Sequence, residues 1–296
     1  MNPTHQLRTV AAALAVSLFG IVNAAAAEED AVARGAYLAR AGGCYSCHTA
    51  AGGQSMAGGR ALATPFGTFY SPNITPDPET GIGRWTDAQF LRALREGVRP
   101  DGANYFPVFP YPSFTGITDD DARAIKAYLS SLPPVREANR QHDVSFPFSW
   151  RFLQNGWKFL FFDQGPFQPT PKQTAAYNRG AYLVTALAHC GECHTPRNVF
   201  GATDSDQRLA GTADGPDGQP VPNITPDPST GIGLWEKSDL LALFKTGITP
   251  EQSKAKGAMR EVVADGLKYL SDADLNAIAD YLMAQKPIVH DVARKR

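Results

Sequence analysis

The chain has 296 residues, enough for one to three domains, and its 28 lysines and arginines nearly balance its 29 aspartates and glutamates. This balance gives no electrostatic basis for binding nucleic acid or an anionic membrane surface, so we expect no nucleic-acid partner. The 27 glycines and 23 prolines predict long, turn-rich loops between helical segments.

The N-terminal segment has the layout of an export signal. Arg8 supplies a positive charge, residues 9–22 form an apolar core, and residues 25–27 are small alanines suited to cleavage. We therefore predict that residues 1–27 are a cleaved signal peptide and that the mature protein is periplasmic, with an uncleaved N-terminal anchor as the alternative. No later segment is apolar for the roughly 18 residues that a membrane-spanning helix needs.

The sequence contains an internal repeat. RGAYL begins at Arg34 and again at Arg179, and NITPDPETGIG at Asn73 is answered by NITPDPSTGIG at Asn223. Two copies are too few for a solenoid and predict two tandem globular domains. The predicted boundaries are residues 28–133 for the first repeat, 134–172 for an inter-domain segment, 173–287 for the second repeat and 288–296 for a C-terminal tail.

Each copy has the pattern of three helices separated by loops. The predicted helices are residues 31–41, a helix opened by a capping box at Thr86 and ended by Gly97, a helix from Thr118, and their counterparts at residues 177–188, before Gly247 and from Ser271. Gly35 and Gly180 in the first helices should allow close approach by Tyr128 and Tyr281 from the last helices. No sustained alternation of apolar and polar residues occurs, so the predicted fold class is all-α, without a sheet.

The inter-domain segment carries the run FPFSWRFLQNGWKFLFF. This run is too aromatic for a disordered linker. It predicts a strap packed between the domains, with a partner-docking surface as the alternative.

Every cysteine lies in one of two CxxCH motifs. The motifs consist of Cys44, Cys47 and His48, and of Cys190, Cys193 and His194. This pattern is typical of covalent attachment of c-type haem, because two thiols bond to the vinyl groups of the porphyrin and the adjacent histidine ligates the iron. The sequence therefore predicts two covalently bound haem c groups.

Three other uses of these cysteines fit the pattern less well. A structural zinc site needs its CxxC pairs within about 12 to 20 residues of each other. A thioredoxin-like redox pair needs a βαβ setting, which is missing. Two disulfides suit an exported protein but leave both histidines unexplained.

The residue opposite each histidine decides between electron transfer and chemistry on a small molecule. Met259, on a predicted loop before the last helix, is the expected distal iron ligand of the second haem, and a core methionine is the alternative. The matching stretch of the first repeat, residues 106–109, has no methionine. Open candidates for the first haem are Met56, Tyr105, Tyr111, His142, or an iron that is open or binds water.

These residues together carry a family resemblance. RGAYL, the two CxxCH motifs, TPFGTFYSPNITPD, TGIG-x-W, YFPVFPYPSF, FPFSWRFLQNGWKFLFF and CGECHTPRN are similar to those of class I cytochromes c. The resemblance is greatest to the cytochrome c subunits of periplasmic alcohol, aldehyde and gluconate dehydrogenases. It implies two tandem class I cytochrome c domains and transfer of electrons from a dehydrogenase toward quinone, another cytochrome or a terminal oxidase.

Two features depart from this family. A methionine is usual in the family where Phe109 stands, and relatives often have three haem motifs rather than two. The sequence has no separate catalytic constellation, so we expect no catalytic residues and an electron-transfer protein or subunit, compatible with peripheral attachment to a membrane complex. The alternative is a dihaem enzyme, of the peroxidase or thiosulfate-oxidising type, that uses an open first haem.

Overall fold

The computed structural model describes residues 28–292, so the predicted signal peptide and the last four residues of the predicted tail lie outside it. The helices are α1 (28–41), α2 (Cys44–His48), α3 (Asp87–Glu96), α4 (Tyr111–Phe114), α5 (Asp119–Ser131), α6 (Leu153–Phe161), α7 (Ala175–Tyr182), α8 (Gly191–His194), α9 (Lys237–Thr246), α10 (Gly257–Asp265) and α11 (Asp272–Met283). A π-helical turn, Leu183–Leu187, continues α7, and single 3-10 turns lie at Ser205–Gln207, Pro216–Gly218 and Leu267–Tyr269. Within residues 28–292, no helix is both long and apolar enough to cross a bilayer.

A small antiparallel sheet accompanies the helices. Its strands are β1 (Ala61–Thr64), β2 (Gly67–Tyr70) and β3 (Asp143–Val144), in the order β1-β2-β3. The prediction of a fold without a sheet was therefore wrong. The strands are too short to show an alternating pattern, and β3 comes from the inter-domain segment, so its pairing of Gly67 with Val144 depends on a long-range contact.

Helix boundaries follow the local signals that the sequence supplies. The Thr86 hydroxyl accepts a hydrogen bond from the Gln89 backbone N–H, and the Gln89 side chain accepts one from the Thr86 N–H, so the predicted capping box is confirmed. Gly97 and Gly247 end α3 and α9 in the left-handed conformation, with φ of 61° and 73°. The matching caps give the two repeats matching helices.

The first and last helices of each repeat cross in direct backbone contact. A Cβ atom at Gly35 would lie 1.9 Å from the carbonyl oxygen of Ala124 in α5 and 2.7 Å from the Cβ of Tyr128. Gly180 has the same relation to α11, where a Cβ would lie 1.9 Å from the carbonyl oxygen of Ala277. The predicted close approach at both glycines is confirmed.

One carboxylate of the first repeat is bound from both repeats. The guanidinium of Arg34 donates to Asp121 from Nε at 3.0 Å and from Nη2 at 2.5 Å. The hydroxyl of Tyr182, in the second repeat, donates to Asp121 Oδ2 at 2.5 Å. Tyr182 is only 5% exposed, so this bond is shielded from water.

The second repeat has the equivalent contact, in which its carboxylate Asp274 is bound from both repeats. Arg179 donates to Asp274 Oδ1 at 2.8 Å, and the hydroxyl of Tyr37, in the first repeat, donates to Asp274 Oδ2 at 2.6 Å. Burial alone would raise the pKa of Asp274, but the hydrogen bonds from Arg179 and Tyr37 outweigh it and hold this pKa below its usual value. The repeats therefore exchange equivalent hydrogen bonds about an approximate twofold axis.

The inter-domain segment packs one face of α6 on the first repeat. The Lys158 ammonium donates to the carbonyl oxygens of Glu96 and Gly97, at 2.6 and 3.0 Å, where α3 ends. The Trp157 indole N–H reaches across to the carbonyl oxygen of Phe200 in the second repeat, at 2.9 Å. The segment thus contacts both repeats.

The other face of the inter-domain segment is exposed. We define the aromatic face as Phe146, Phe148, Trp150, Phe152, Phe159 and Leu160, all of which are exposed. Phe159 is the most open of these, at 89%. So many exposed large apolar side chains are unusual for an isolated monomer, and a partner-docking role stays a prediction.

The crossing glycines give a direct test of this packing. Gly35→Ala and Gly180→Ala should each lower the free energy of unfolding by about 1–3 kcal/mol or more, because the new methyl group meets a carbonyl oxygen that belongs to another helix. The matched control is Gly156→Ala in α6, where no atom lies within 4 Å of the added Cβ. It should stabilise by about 0.5–1 kcal/mol. Urea unfolding followed by circular dichroism measures all three, and equal effects at the three glycines would contradict the described crossing.

The exchanged hydrogen bonds are tested by removing one hydroxyl. Tyr182→Phe should lower the free energy of unfolding by about 1–3 kcal/mol, because the Asp121 oxygen that it leaves is shielded from water. Tyr37→Phe should cost less, since Tyr37 is only half-buried. Urea denaturation of both variants gives the comparison. Unchanged stability in Tyr182→Phe would remove this bond from the interface.

Candidate functional site

Each CxxCH motif lies on a short helical turn directly after the first helix of its repeat. Gly43, with φ of 66°, turns the chain from α1 into α2, and His189, with φ of 40°, holds the same place before Cys190. The residues at positions i and i+3 of such a turn share one face, which places Cys44 and Cys47 side by side. No disulfide joins any of the four cysteines.

The two motif histidines are oriented by the same kind of bond. His48 Nδ1 lies 2.7 Å from the carbonyl oxygen of Pro72, and His194 Nδ1 lies 2.8 Å from that of Pro222. A carbonyl oxygen only accepts, so Nδ1 carries the proton and Nε2 keeps the lone pair that a metal needs. Burial lowers the pKa of both imidazoles, although the carbonyl bond opposes it, which favours the neutral, ligating form.

The surroundings of the thiols distinguish among the possible uses of the cysteines. Burial, reinforced by the neighbouring thiol of each motif, raises the pKa of Cys44 to about 12 and that of Cys190 to about 12. A redox-active CxxC pair has a lowered thiol pKa instead. In the described part of the chain, no group of three or more Cys, His, Asp or Glu side chains converges as a metal site would require. The arrangement fits covalent attachment of a haem.

The NITPD loop holds the proline carbonyl of each repeat in place. Asn73, which is buried, accepts from the Thr75 N–H at 2.9 Å and donates to the carbonyl oxygen of Val135 at 2.7 Å. In the second repeat Asn223 donates to the carbonyl oxygen of Ile288 at 2.7 Å. Each NITPD loop is therefore tied to the chain that follows the last helix of its repeat. This contact fixes the proline before the asparagine, Pro72 or Pro222, whose carbonyl oxygen binds the motif histidine.

Met259 and Phe109 occupy equivalent positions. The N–H of Tyr105 donates to the carbonyl oxygen of Gly97 at 2.8 Å, and the N–H of Ala255 donates to that of Gly247 at 2.7 Å. Phe109 and Met259 each follow four residues later. These backbone hydrogen bonds therefore align the two repeats in the same register as their sequences do.

The local structures around these two positions differ. Met259 is partly buried against the core on α10, so the prediction of a loop there was wrong. The segment GAMREVVAD is free of proline and buries Val263, which allows a short helix. Phe109 lies in a turn before α4, and its ring contacts those of Tyr105 and Phe114, with centroids 5.2 and 5.7 Å apart.

Met56 is held as a core residue. It is 0% exposed, has φ of 62°, donates its N–H to Thr49 Oγ1 and accepts from the N–H of Ile74. Leu209 holds the same place in the second repeat, with φ of 65° and the same pair of hydrogen bonds. The position therefore needs an apolar side chain rather than a thioether.

The remaining candidates for the first repeat lie in separate surroundings. His142 Nδ1 accepts from the backbone N–H of Tyr70 at 3.2 Å, and burial lowers the pKa of this imidazole to about 4. Tyr111 is fully buried, and its hydroxyl has no hydrogen-bond partner. Burial raises the pKa of Tyr105 to about 12. These three side chains are not brought together as a ligand set.

The two motifs face each other across the interface between the repeats. Arg60 donates to the carbonyl oxygen of Ser46, within the first motif, at 2.8 Å and pairs with Glu261 of α10 at 2.6 Å. In return, the Ser113 hydroxyl, in the first repeat, donates to Glu192, within the second motif, at 2.7 Å. The sequence did not predict these residues because the two repeats use different side chains for corresponding contacts.

Comparison with known proteins identifies the class of protein. Residues 32–133 match the family model described as cytochrome c. Over 260 residues the chain is 42% identical to a protein named diheme cytochrome c-type from Cereibacter sphaeroides, and the match covers 84% of each chain. The chain therefore belongs to the cytochrome c family.

More particularly, the chain is similar to the cytochrome subunits of larger dehydrogenases, as the resemblance indicated. It is 42% identical over 261 residues to the fructose dehydrogenase cytochrome subunit of Gluconobacter japonicus. It is 39% identical over 298 residues to the cytochrome c subunit of alcohol dehydrogenase (quinone) of Gluconacetobacter polyoxogenes. These matches cover 87% and 96% of this chain but only 53% and 63% of those proteins, so the chain spans part of their length.

Proposed function

We propose that the protein is a periplasmic dihaem cytochrome c that relays single electrons. The first haem bonds to Cys44 and Cys47, and the second bonds to Cys190 and Cys193. The observation that carries the proposal is that both motif histidines donate Nδ1–H to a proline carbonyl oxygen and present Nε2 for coordination. Haem iron, when bound, supplies a one-electron couple whose potential the axial ligands set.

The two haems are proposed to differ in ligation. Met259 is the distal ligand of the second, and methionine opposite histidine raises the reduction potential. The equivalent residue of the first repeat is Phe109, which offers no donor atom. Two unequal potentials would give the relay a direction.

The interface supports transfer between the two haems. Helix α10, which carries Met259, lies against α2 through the Arg60–Glu261 ion pair, and α4 is tied to α8 through Ser113 and Glu192. Both attachment sites thus adjoin the surface between the repeats.

The proposed electron donor is a periplasmic dehydrogenase docked on the aromatic face, and the acceptor is quinone, another cytochrome or a terminal oxidase. The names of the relatives as cytochrome subunits of dehydrogenases support the donor.

Haem content and potentials test the relay. Replacing Cys44 and Cys47 by alanine should lower covalent haem from two groups to one per chain, and replacing Cys190 and Cys193 should do the same, as measured by the pyridine haemochrome assay. Redox titration of the wild-type protein should resolve two potentials, and Met259→Leu should lower the higher one. Two indistinguishable potentials in the wild type would remove the basis for a directed relay.

Site-specific photo-crosslinking tests the donor. A crosslinking amino acid at Phe159, on the aromatic face, should capture a dehydrogenase that mass spectrometry identifies. The matched control is Asp120 at the start of α5, whose side chain is 90% exposed but lies outside this face. Equal capture at both positions, or capture of no dehydrogenase at Phe159, would contradict the proposed docking.

A further inference from the structure

We infer that none of the candidate residues of the first repeat and the inter-domain segment ligates the first haem, so that its iron is an open site for a small neutral ligand of the carbon monoxide or nitric oxide type. The inference rests on the proposed attachment of this haem through Cys44, Cys47 and His48. It concerns the side chains that lie where a distal ligand would have to be.

Phe109 stands at the place in the first repeat that Met259 holds in the second. The hydrogen bonds from Tyr105 to Gly97 and from Ala255 to Gly247 fix the same register in both repeats, and this register sets Phe109 equivalent to Met259. A thioether sulfur has a lone pair for iron, whereas a phenyl ring has none. The ring of Phe109 is also packed edge-on against Tyr105.

Met56 is not free to replace it. Its side chain is fully buried, and its backbone is fixed on both sides by hydrogen bonds to Thr49 and from Ile74. Leu209 has the same conformation and bonds in the second repeat, where Met259 is available. The thioether of Met56 therefore belongs to the core that closes the loop after the motif.

Neither ring nitrogen of His142 has a lone pair free for iron. Nδ1 accepts from the Tyr70 backbone N–H, so in the neutral ring the proton is on Nε2, which then has no lone pair. Coordination through Nε2 would require moving the proton to Nδ1 and breaking the bond to Tyr70. The ring is also wedged between Phe69 and Phe106, with centroids 5.3 and 5.8 Å away.

The two tyrosines are held by packing. The ring of Tyr111 lies under α3, where a Cβ at Gly97 would come within 2.4 Å of it, and meets Phe162 of the inter-domain segment edge-on at 5.1 Å. Tyr105 stacks edge-on against Phe109. Ligation through either would need a phenolate, and burial, which raises the pKa of both hydroxyls, disfavours it.

The surroundings of Phe109 select the chemistry of the ligand. Tyr105 and Phe114 contact its ring, and Phe106 lies in the same segment. These aromatic side chains carry no charge themselves, and the guanidinium of Arg151 lies over the ring of Phe106 with its carbon 4.5 Å from the centroid. A neutral diatomic loses little hydration on entering, and we therefore expect carbon monoxide to bind ferrous iron here.

The test uses carbon monoxide titration of the reduced dihaem protein, read by the change in the visible haem spectrum. The wild type should bind one carbon monoxide per two haems. Phe109→Met should reduce this to none and add a second methionine-to-iron absorption band in the oxidised protein. Met259→Phe, the reciprocal variant, should raise it to two per chain.

Other results would overturn the inference. A wild-type protein with two covalent haems that binds no carbon monoxide has a distal ligand on both, and a gain of one site in His142→Ala or Met56→Leu would identify it. Binding of two per chain in the wild type would also contradict the distinction between the repeats. Failure of the proposed attachment is a separate outcome, because the pyridine haemochrome assay would then count fewer than two haems.

Discussion

Each repeat donates a tyrosine hydroxyl to a carboxylate that belongs to the other repeat. Because Asp121 and Asp274 are also bound by arginines of their own repeats, each cross-contact is anchored to the crossing of the first and last helices. That crossing depends on Gly35 and Gly180, which let the helix backbones touch. The interface is therefore built from the same residues that hold each repeat together. It places each CxxCH motif beside a helix of the other repeat.

Features that depend on short segments of sequence were predictable. The capping box at Thr86 and the crossing glycines combine a fixed spacing with one physical requirement, and the structure has both where they were predicted. The CxxCH motifs were found from their spacing, but the short helical turns that carry them were not predicted. Strand β3 and the Arg60–Glu261 pair were missed because they join distant segments whose residues carry no local signal. The helix around Met259 was missed because nine residues give too little periodicity to separate a helix from a loop.

The two repeats share a scaffold but differ where chemistry is decided. The asparagine bonds of the NITPD loops, the histidine–proline bonds and the glycines that end α3 and α9 recur in both repeats. The differences lie at Phe109 and Met259, and in the side chains that join each motif to the opposite repeat. A scaffold that is constant in this way keeps the two motif histidines equivalent while the residues at Phe109 and Met259 differ.

The exchange of equivalent hydrogen bonds has the geometry of a symmetric dimer. In a dimer of identical chains, one substitution changes both halves at once, so replacing a methionine by phenylalanine would alter both copies together. Here the inter-domain segment joins the halves covalently, and each can change alone. The inter-domain segment therefore permits asymmetry. One half keeps Met259 and the other carries Phe109, while the hydrogen bonds exchanged between the repeats remain equivalent.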